Sequence, residues 1–218
     1  MALVRSLPGN VAQGLIWGIM ALGVYITFRI LDFADLTVDG SLATGGAVAV
    51  MLIQGGMHPA LSLIFAFLAG MAAGFVTGFL HTALGIPGIL ASILTQISLY
   101  SVNLGIMGKA NQSMGIGQKG RVASARYVTA DNSYIFFIGL ILACLVLVAI
   151  VYWLFGTELG ASIRATGCNP QMASAQGINT NFCKVIALMI SNGLVGLCGG
   201  VYAQYQGAAD VNAGRGAI

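Results

Sequence analysis

The sequence predicts an all-α, polytopic transmembrane helix bundle, and three observations predict it. Of 218 residues, 58% are hydrophobic and 7% are charged, with a mean hydropathy of +0.91. Soluble domains carry about 25% charged residues, so this chain cannot cover a water-facing surface. Long apolar runs recur along its whole length, too long for strands, and the bilayer demands that backbone groups be satisfied within the segment. Glycine is abundant at 31 and proline scarce at 4, and small residues let helices approach closely in lipid. These features exclude a soluble enzyme, a nucleic-acid module and a disordered tail. They leave one transmembrane domain over 1–218, surrounded by lipid.

About six spans are visible, at 11–28, 41–53, 60–80, 88–106, 134–155 and 182–205. Arg5 precedes the first run as in a signal peptide, but more membrane follows it, so that span is read as retained. The second span is the odd one. Its 13 residues make a helix of roughly 20 Å, against a hydrocarbon core of about 30 Å. It follows Leu31-Asp32-Phe33-Ala34-Asp35-Leu36-Thr37-Val38-Asp39-Gly40-Ser41, which does not cross lipid as a plain helix. A short span beside a polar, Gly-interrupted stretch marks a discontinuous helix near 31–53. A solvated loop at a helix end is the other reading. If the stretch is helical, Asp32, Asp35 and Asp39 share one side, and Asp39 or Ser41 is placed to cap the short helix.

Gly85-Ile86-Pro87-Gly88 reads as a tight turn, with Pro87 suited to the first turn of the fourth span. That span carries Ser92, Thr95, Gln96, Ser98, Tyr100 and Asn103. Polar groups inside a span face a water-filled path or bond to neighbouring helices. Asp32, Asp35, Asp39, Gln96, Asn103 and, in the sixth span, Asn192 are the candidate pathway residues. No cation in the core is placed to hold a carboxylate, which leaves that task to half-helix N-termini.

Two connections remain. Residues 107–133 carry Lys109, Lys119, Arg121 and Arg126 against Asp131, and residues 156–181 carry Glu158 and Arg164. One span separates them, so they lie on opposite sides. A faint echo joins span one, Gly14-Leu15 then Gly23-Val24-Tyr25 then Phe33-Ala34-Asp35, to span six, Gly193-Leu194 then Gly200-Val201-Tyr202 then Ala208-Ala209-Asp210. The two spans run in opposite directions, so the echo reads as an inverted repeat, with chance similarity in a Gly-rich chain as the alternative. Cys144, Cys168, Cys183 and Cys198 are scattered and read as reduced apolar residues. His58 and His81 stand near span ends without a partner motif, so neither a metal site nor a catalytic set is expected.

The 156–181 connection is the most informative. Asn169-Pro170 is a helix start, and Gly177 a helix stop, around about two turns of small residues. A helix this weak needs something to dock on. With Leu159, Gly160, Arg164, Ala165, Gly167, Asn169, Ala173, Gly177, Ile178 and Asn179, the stretch resembles the cytoplasmic coupling loop of ABC importer permeases of the branched-chain amino-acid and ribose type. The wording of 31–41 is similar to permeases labelled tryptophan/tyrosine transporters.

The resemblance implies a permease subunit with no ATPase of its own, and the chain contains no phosphate-binding G-x-x-x-x-G-K-[ST] run; Gly108-Lys109 leads into Ala110. It further implies an ABC ATPase subunit that holds the ATP and seats the 156–181 loop, an extracytoplasmic substrate-binding protein and a second permease copy. No cofactor is implied in this chain. Family members continue past the position of Ile218, so the chain reads as C-terminally incomplete. A self-contained secondary transporter or channel shares the broken-helix signature; a membrane-embedded enzyme lacks its residues here. The basic residues favour a cytoplasmic 107–133 connection, whereas the coupling motif requires 156–181 inside, with the N-terminus outside. The motif is preferred, because an ATP-driven subunit is met only from the cytoplasm.

Overall fold

Over the described residues, 2–114 and 133–216, the computed structural model is all-α apart from two short strands. Eight α-helices follow in order: α1 (Ala2–Tyr25), α2 (Thr37–Gln54), α3 (Pro59–Thr82), α4 (Gly88–Met107), α5 (Ser133–Gly156), α6 (Glu158–Cys168), α7 (Pro170–Ala175) and α8 (Thr180–Gln206). A π-helical turn, Ile26–Ile30, extends α1. Strands β1 (Asn111–Ser113) and β2 (Ala208–Asp210) pair antiparallel. Six of the helices are long and apolar enough to cross a membrane, one for each expected span.

The helix α3 explains why the bundle forms. Ser62, Ala66, Gly70, Ala73, Gly74 and Thr77 are buried, while Ile64, Phe65, Leu68, Phe75, Val76 and Phe79 are exposed. Small and polar residues inside with large apolar residues outside is the arrangement for lipid, where close packing rather than hydrophobic exclusion joins helices. The buried faces of α1, α2 and α3 all meet α8, the central helix. A Cβ at Gly70 would collide with the Asn192 carbonyl, and one at Gly196 would come within 2.6 Å of the Ala66 carbonyl. At the outer edge, α5 is almost wholly exposed, with Tyr152 and Trp153 near its end. That is the belt position for amphipathic aromatics.

Three side chains fix the direction of α1 against α8. Tyr205 donates to the Gly9 carbonyl at 3.2 Å, Cys198 to that of Ile16 at 3.2 Å, and Ser191 to that of Gly23 at 2.8 Å. Partners descend along α8 as α1 ascends, so the two helices are antiparallel, as the inverted echo requires. Beyond the helix ends the echo stops: residues 33–35 are irregular, whereas 208–210 form a strand.

Several expectations need correction. The second span has 18 residues, not 13, so the break narrows to 31–36. The three aspartates do not share a helical side: Asp32 has φ +53° and is exposed, Asp35 is buried in the break, and Asp39 lies within α2. Neither Asp39 nor Ser41 caps α2. The Thr37 N–H is instead satisfied by Asp35 Oδ1 at 2.9 Å. Pro87 precedes α4 at its cap position. The first half of 156–181 is not a connector but α6, capped by Thr157 Oγ1, which accepts from the Gly160 N–H at 3.4 Å. Lys119, Arg121, Arg126 and Asp131 lie outside the described residues.

Candidate functional site

At one end of the bundle, α6 and α7 form a hairpin. Asn169 Oδ1 accepts from the Met172 N–H at 3.0 Å, Pro170 opens α7, and Gly177 turns the chain at φ +85°. The helix has six residues, close to the two turns expected. Asn179 then caps α8 by accepting from the Phe182 N–H at 3.1 Å. The hairpin has two faces. Arg164 and Asn169 are exposed, as are Leu159 and Met172; Gly160 and Ala173 are buried, and Ala165, Gly167 and Ile178 are half-buried. Gly167 rests on the Ile30 carbonyl with no room for a Cβ. The motif therefore joins the hairpin to the end of the π-turn, immediately before the break.

Within the break, buried polar groups satisfy one another. Asp35 Oδ2 accepts from Asn192 Nδ2 at 2.6 Å, and Asn192 Oδ1 accepts from Ser41 Oγ at 2.6 Å. Asn192 Nδ2 also donates to the Leu188 carbonyl at 3.1 Å, and the Thr37 and Thr77 hydroxyls lie 2.7 Å apart. Asp35 and Asn192 are 0% exposed. Burial pushes the Asp35 carboxyl above its ordinary range, against hydrogen bonds from Thr37 and Asn192 that lower it. Of the candidate pathway residues, these two form a lock across four segments: the break, α2, α3 and α8.

Three others converge elsewhere. Asp39, Gln96 and Asn103 line a cleft of about 370 Å³ between α2, α4 and residues 211–216. Gln96 Nε2 donates to Asp39 Oδ2 at a long 3.5 Å. Arg215 and Tyr100 line the same cleft, with the guanidinium 5.4 Å from the ring centroid. Arg215 is exposed and lies beyond the last span, so this cation lines the cleft without being a core residue. Only folding returns 211–216 onto α2, where a Cβ at Gly214 would collide with the Asp39 carbonyl. Asp32 joins neither group.

His58 accepts from the Ala60 N–H at the start of α3, and His81 lies 2.9 Å from the Ile86 carbonyl and 3.4 Å from Lys184 Nζ. Among the described residues, no group of three or more His, Cys, Asp or Glu is placed to hold a metal. All four cysteines are free, and Cys168 is exposed.

A bundle with small and polar buried faces, large apolar exposed faces and a helix broken around a buried carboxylate defines a multi-pass membrane protein with the discontinuous helix of many transporters. The chain belongs to the family of branched-chain amino-acid transport system permease components, whose family model matches residues 9–218. It is 41% identical over 207 residues to a tyrosine transport system permease protein of Clostridioides difficile, covering 94% of this chain and 67% of that one. It is 38% identical over 204 residues to an uncharacterised protein of Rickettsia prowazekii, covering 94% and 70%. It is 32% identical over 185 residues to the autoinducer 2 import system permease protein LsrC of Yersinia pseudotuberculosis, covering 84% and 50%. No solved structure matches.

Proposed function

We propose that this chain is the transmembrane subunit of a binding-protein-dependent ABC importer for amino acids or a related small solute, driven by a separate ATPase. The α6–α7 hairpin carries this reading. It offers Arg164, Asn169 and Met172 outward and rests Gly167 on Ile30. Such a two-faced hairpin receives force on one side and delivers it to the break on the other. ATP is held by the partner, and this chain needs no cofactor. A substrate-binding protein delivers solute from outside, and a second permease copy completes the path. In this topology the hairpin at 156–181 is cytoplasmic, and the N-terminus and residues 107–133 are outside. The names of the tyrosine and autoinducer 2 relatives support small polar solutes as cargo.

The test is uptake of radiolabelled L-tyrosine and L-leucine into vesicles holding the permease with the ATPase and binding protein of its own operon. Uptake should require internal ATP. Charge reversal in Arg164→Glu should weaken ATPase capture in pull-down without loss of membrane insertion. Uptake driven by an ion gradient without ATP would replace this reading with a self-contained secondary transporter.

A further inference from the structure

The cleft beside α4 holds polar groups that the fold leaves unsatisfied. Asn103 is 1% exposed, yet neither its Oδ1 nor its Nδ2 has a hydrogen-bond partner. Asp39 Oδ1 is likewise buried without a bond of its own, and only the Gly216 backbone approaches that carboxyl from the chain's end. Buried amides are almost always paired, and an unpaired one is costly. This is not a general looseness of α4. Ser92, Thr95 and Ser98 on the same helix each donate to a carbonyl of their own helix, at 2.9, 3.0 and 2.8 Å. Among the described residues of α4, the buried side-chain atoms without a partner are those of Asn103, on the side that lines the cleft.

The charges there are also unspent. Asp39 and Arg215 both line the cleft but form no ion pair with each other among the described residues. Asp39 is tied to Gln96, and Arg215 lies over Tyr100. Gln96 and Tyr100 are four residues apart, so the α4 positions that hold the two charges are offset by about 6 Å along the helix. Asp39 is half-buried with one carboxyl oxygen unbonded, whereas Arg215 is exposed, so a lone cation would answer Asp39 and leave Arg215 to solvent. A solute carrying both an ammonium and a carboxylate answers both, and its remaining hydrogen-bonding groups suit the Asn103 amide. The cleft volume of about 370 Å³ falls at the lower end of small-molecule sites, roughly 300–1,000 Å³, which suits a molecule of amino-acid size.

We propose that this cleft is a binding site for a zwitterionic solute, with its ammonium at Asp39, its carboxylate at Arg215 and the Asn103 amide between them. The proposal deepens the importer reading and rests on it.

The test uses the permease assembled with its ATPase and binding protein in proteoliposomes. Asn103→Cys is made in a Cys168→Ser background, with Ile97→Cys as a second reporter at an exposed position lining the cleft. The rate of alkylation by a small methanethiosulfonate is read with each common L-amino acid in turn. At least one amino acid should slow labelling at both positions. Its decarboxylated amine and its N-acetyl derivative should not. Arg215→Gln should raise the protecting concentration by about tenfold, the usual loss of one charged hydrogen bond. Labelling unchanged by every amino acid, or equal protection by amine and amino acid, overturns the site. If ATP-driven uptake persists in that case, the importer reading stands without it; if uptake is absent from the unsubstituted assembly, the importer reading falls on its own.

Discussion

The Asn192 side-chain amide donates to the Asp35 carboxylate at 2.6 Å, across 157 residues of sequence. This bond fastens the irregular segment between α1 and α2 to the central helix α8. It explains how a break can persist inside a bundle: the carboxylate that interrupts the helix is itself held by the Thr37 N–H and the Asn192 amide. The break is thus a built feature, and its geometry is open to direct tests.

Removing the Asn192 donor leaves a buried carboxylate short of a partner. Asn192→Asp should destabilise the detergent-solubilised protein by about 1–3 kcal/mol, seen as a lower midpoint of thermal unfolding. Asp35→Asn alone should also destabilise, because the new amide N–H₂ faces another donor. Combining the two substitutions should recover most of the loss, since the pair is then reversed: an amide at position 35 donates to a carboxylate at position 192. A double variant no better than the sum of the two singles would show that the bond does not hold the break.

Asp35 also makes stability depend on pH. Burial raises its folded-state pKa above the unfolded value, opposed by the Thr37 and Asn192 hydrogen bonds. The fold therefore favours the protonated form. This contribution is complete below the unfolded pKa, about 4, and is lost as pH rises through the raised folded value. The unfolding midpoint should fall as pH increases through that window, and Asp35→Asn should flatten this component. The comparison is intrinsic tryptophan fluorescence melts of both proteins across the pH range.

Gly167 has no room for a side chain against the Ile30 carbonyl. Gly167→Val should push α6 away from the π-turn. Uptake should drop by about tenfold or more, while ATP hydrolysis continues and the protein remains in the membrane, because a misplaced contact of this kind costs force transmission rather than insertion. Arg164→Ala, on the exposed face, should weaken ATPase capture instead. Equal effects of both substitutions on capture would contradict the two-faced description.

Cys168 ends α6 and is exposed, whereas Cys183 and Cys198 are buried. An impermeant maleimide applied to intact cells should spare Cys168 and should label it after lysis. Labelling in intact cells would place the hairpin outside and remove its ATPase-docking role.

Sequence alone was sufficient for whatever depends on composition and local chemistry. The six spans follow from long apolar runs, and the start of α7 from Asn169-Pro170, because hydrophobicity and capping are properties of neighbouring residues. Even locally the signal is incomplete: α6 is hard to read because its small residues carry little hydrophobic periodicity, although Thr157 is in place to cap it. The three aspartates could not be sorted from their spacing, since a non-helical Asp32 and an amide partner for Asp35 on a distant helix are not visible in periodicity. Asp35 and Asn192 both stand out in the sequence as polar residues in or beside spans, but only tertiary structure makes them partners. The same holds for Asp39, Asn103 and Arg215. Close packing of glycines on α8 and the return of 211–216 onto α2 decide which polar groups meet, and those contacts arise between segments that share no local signal.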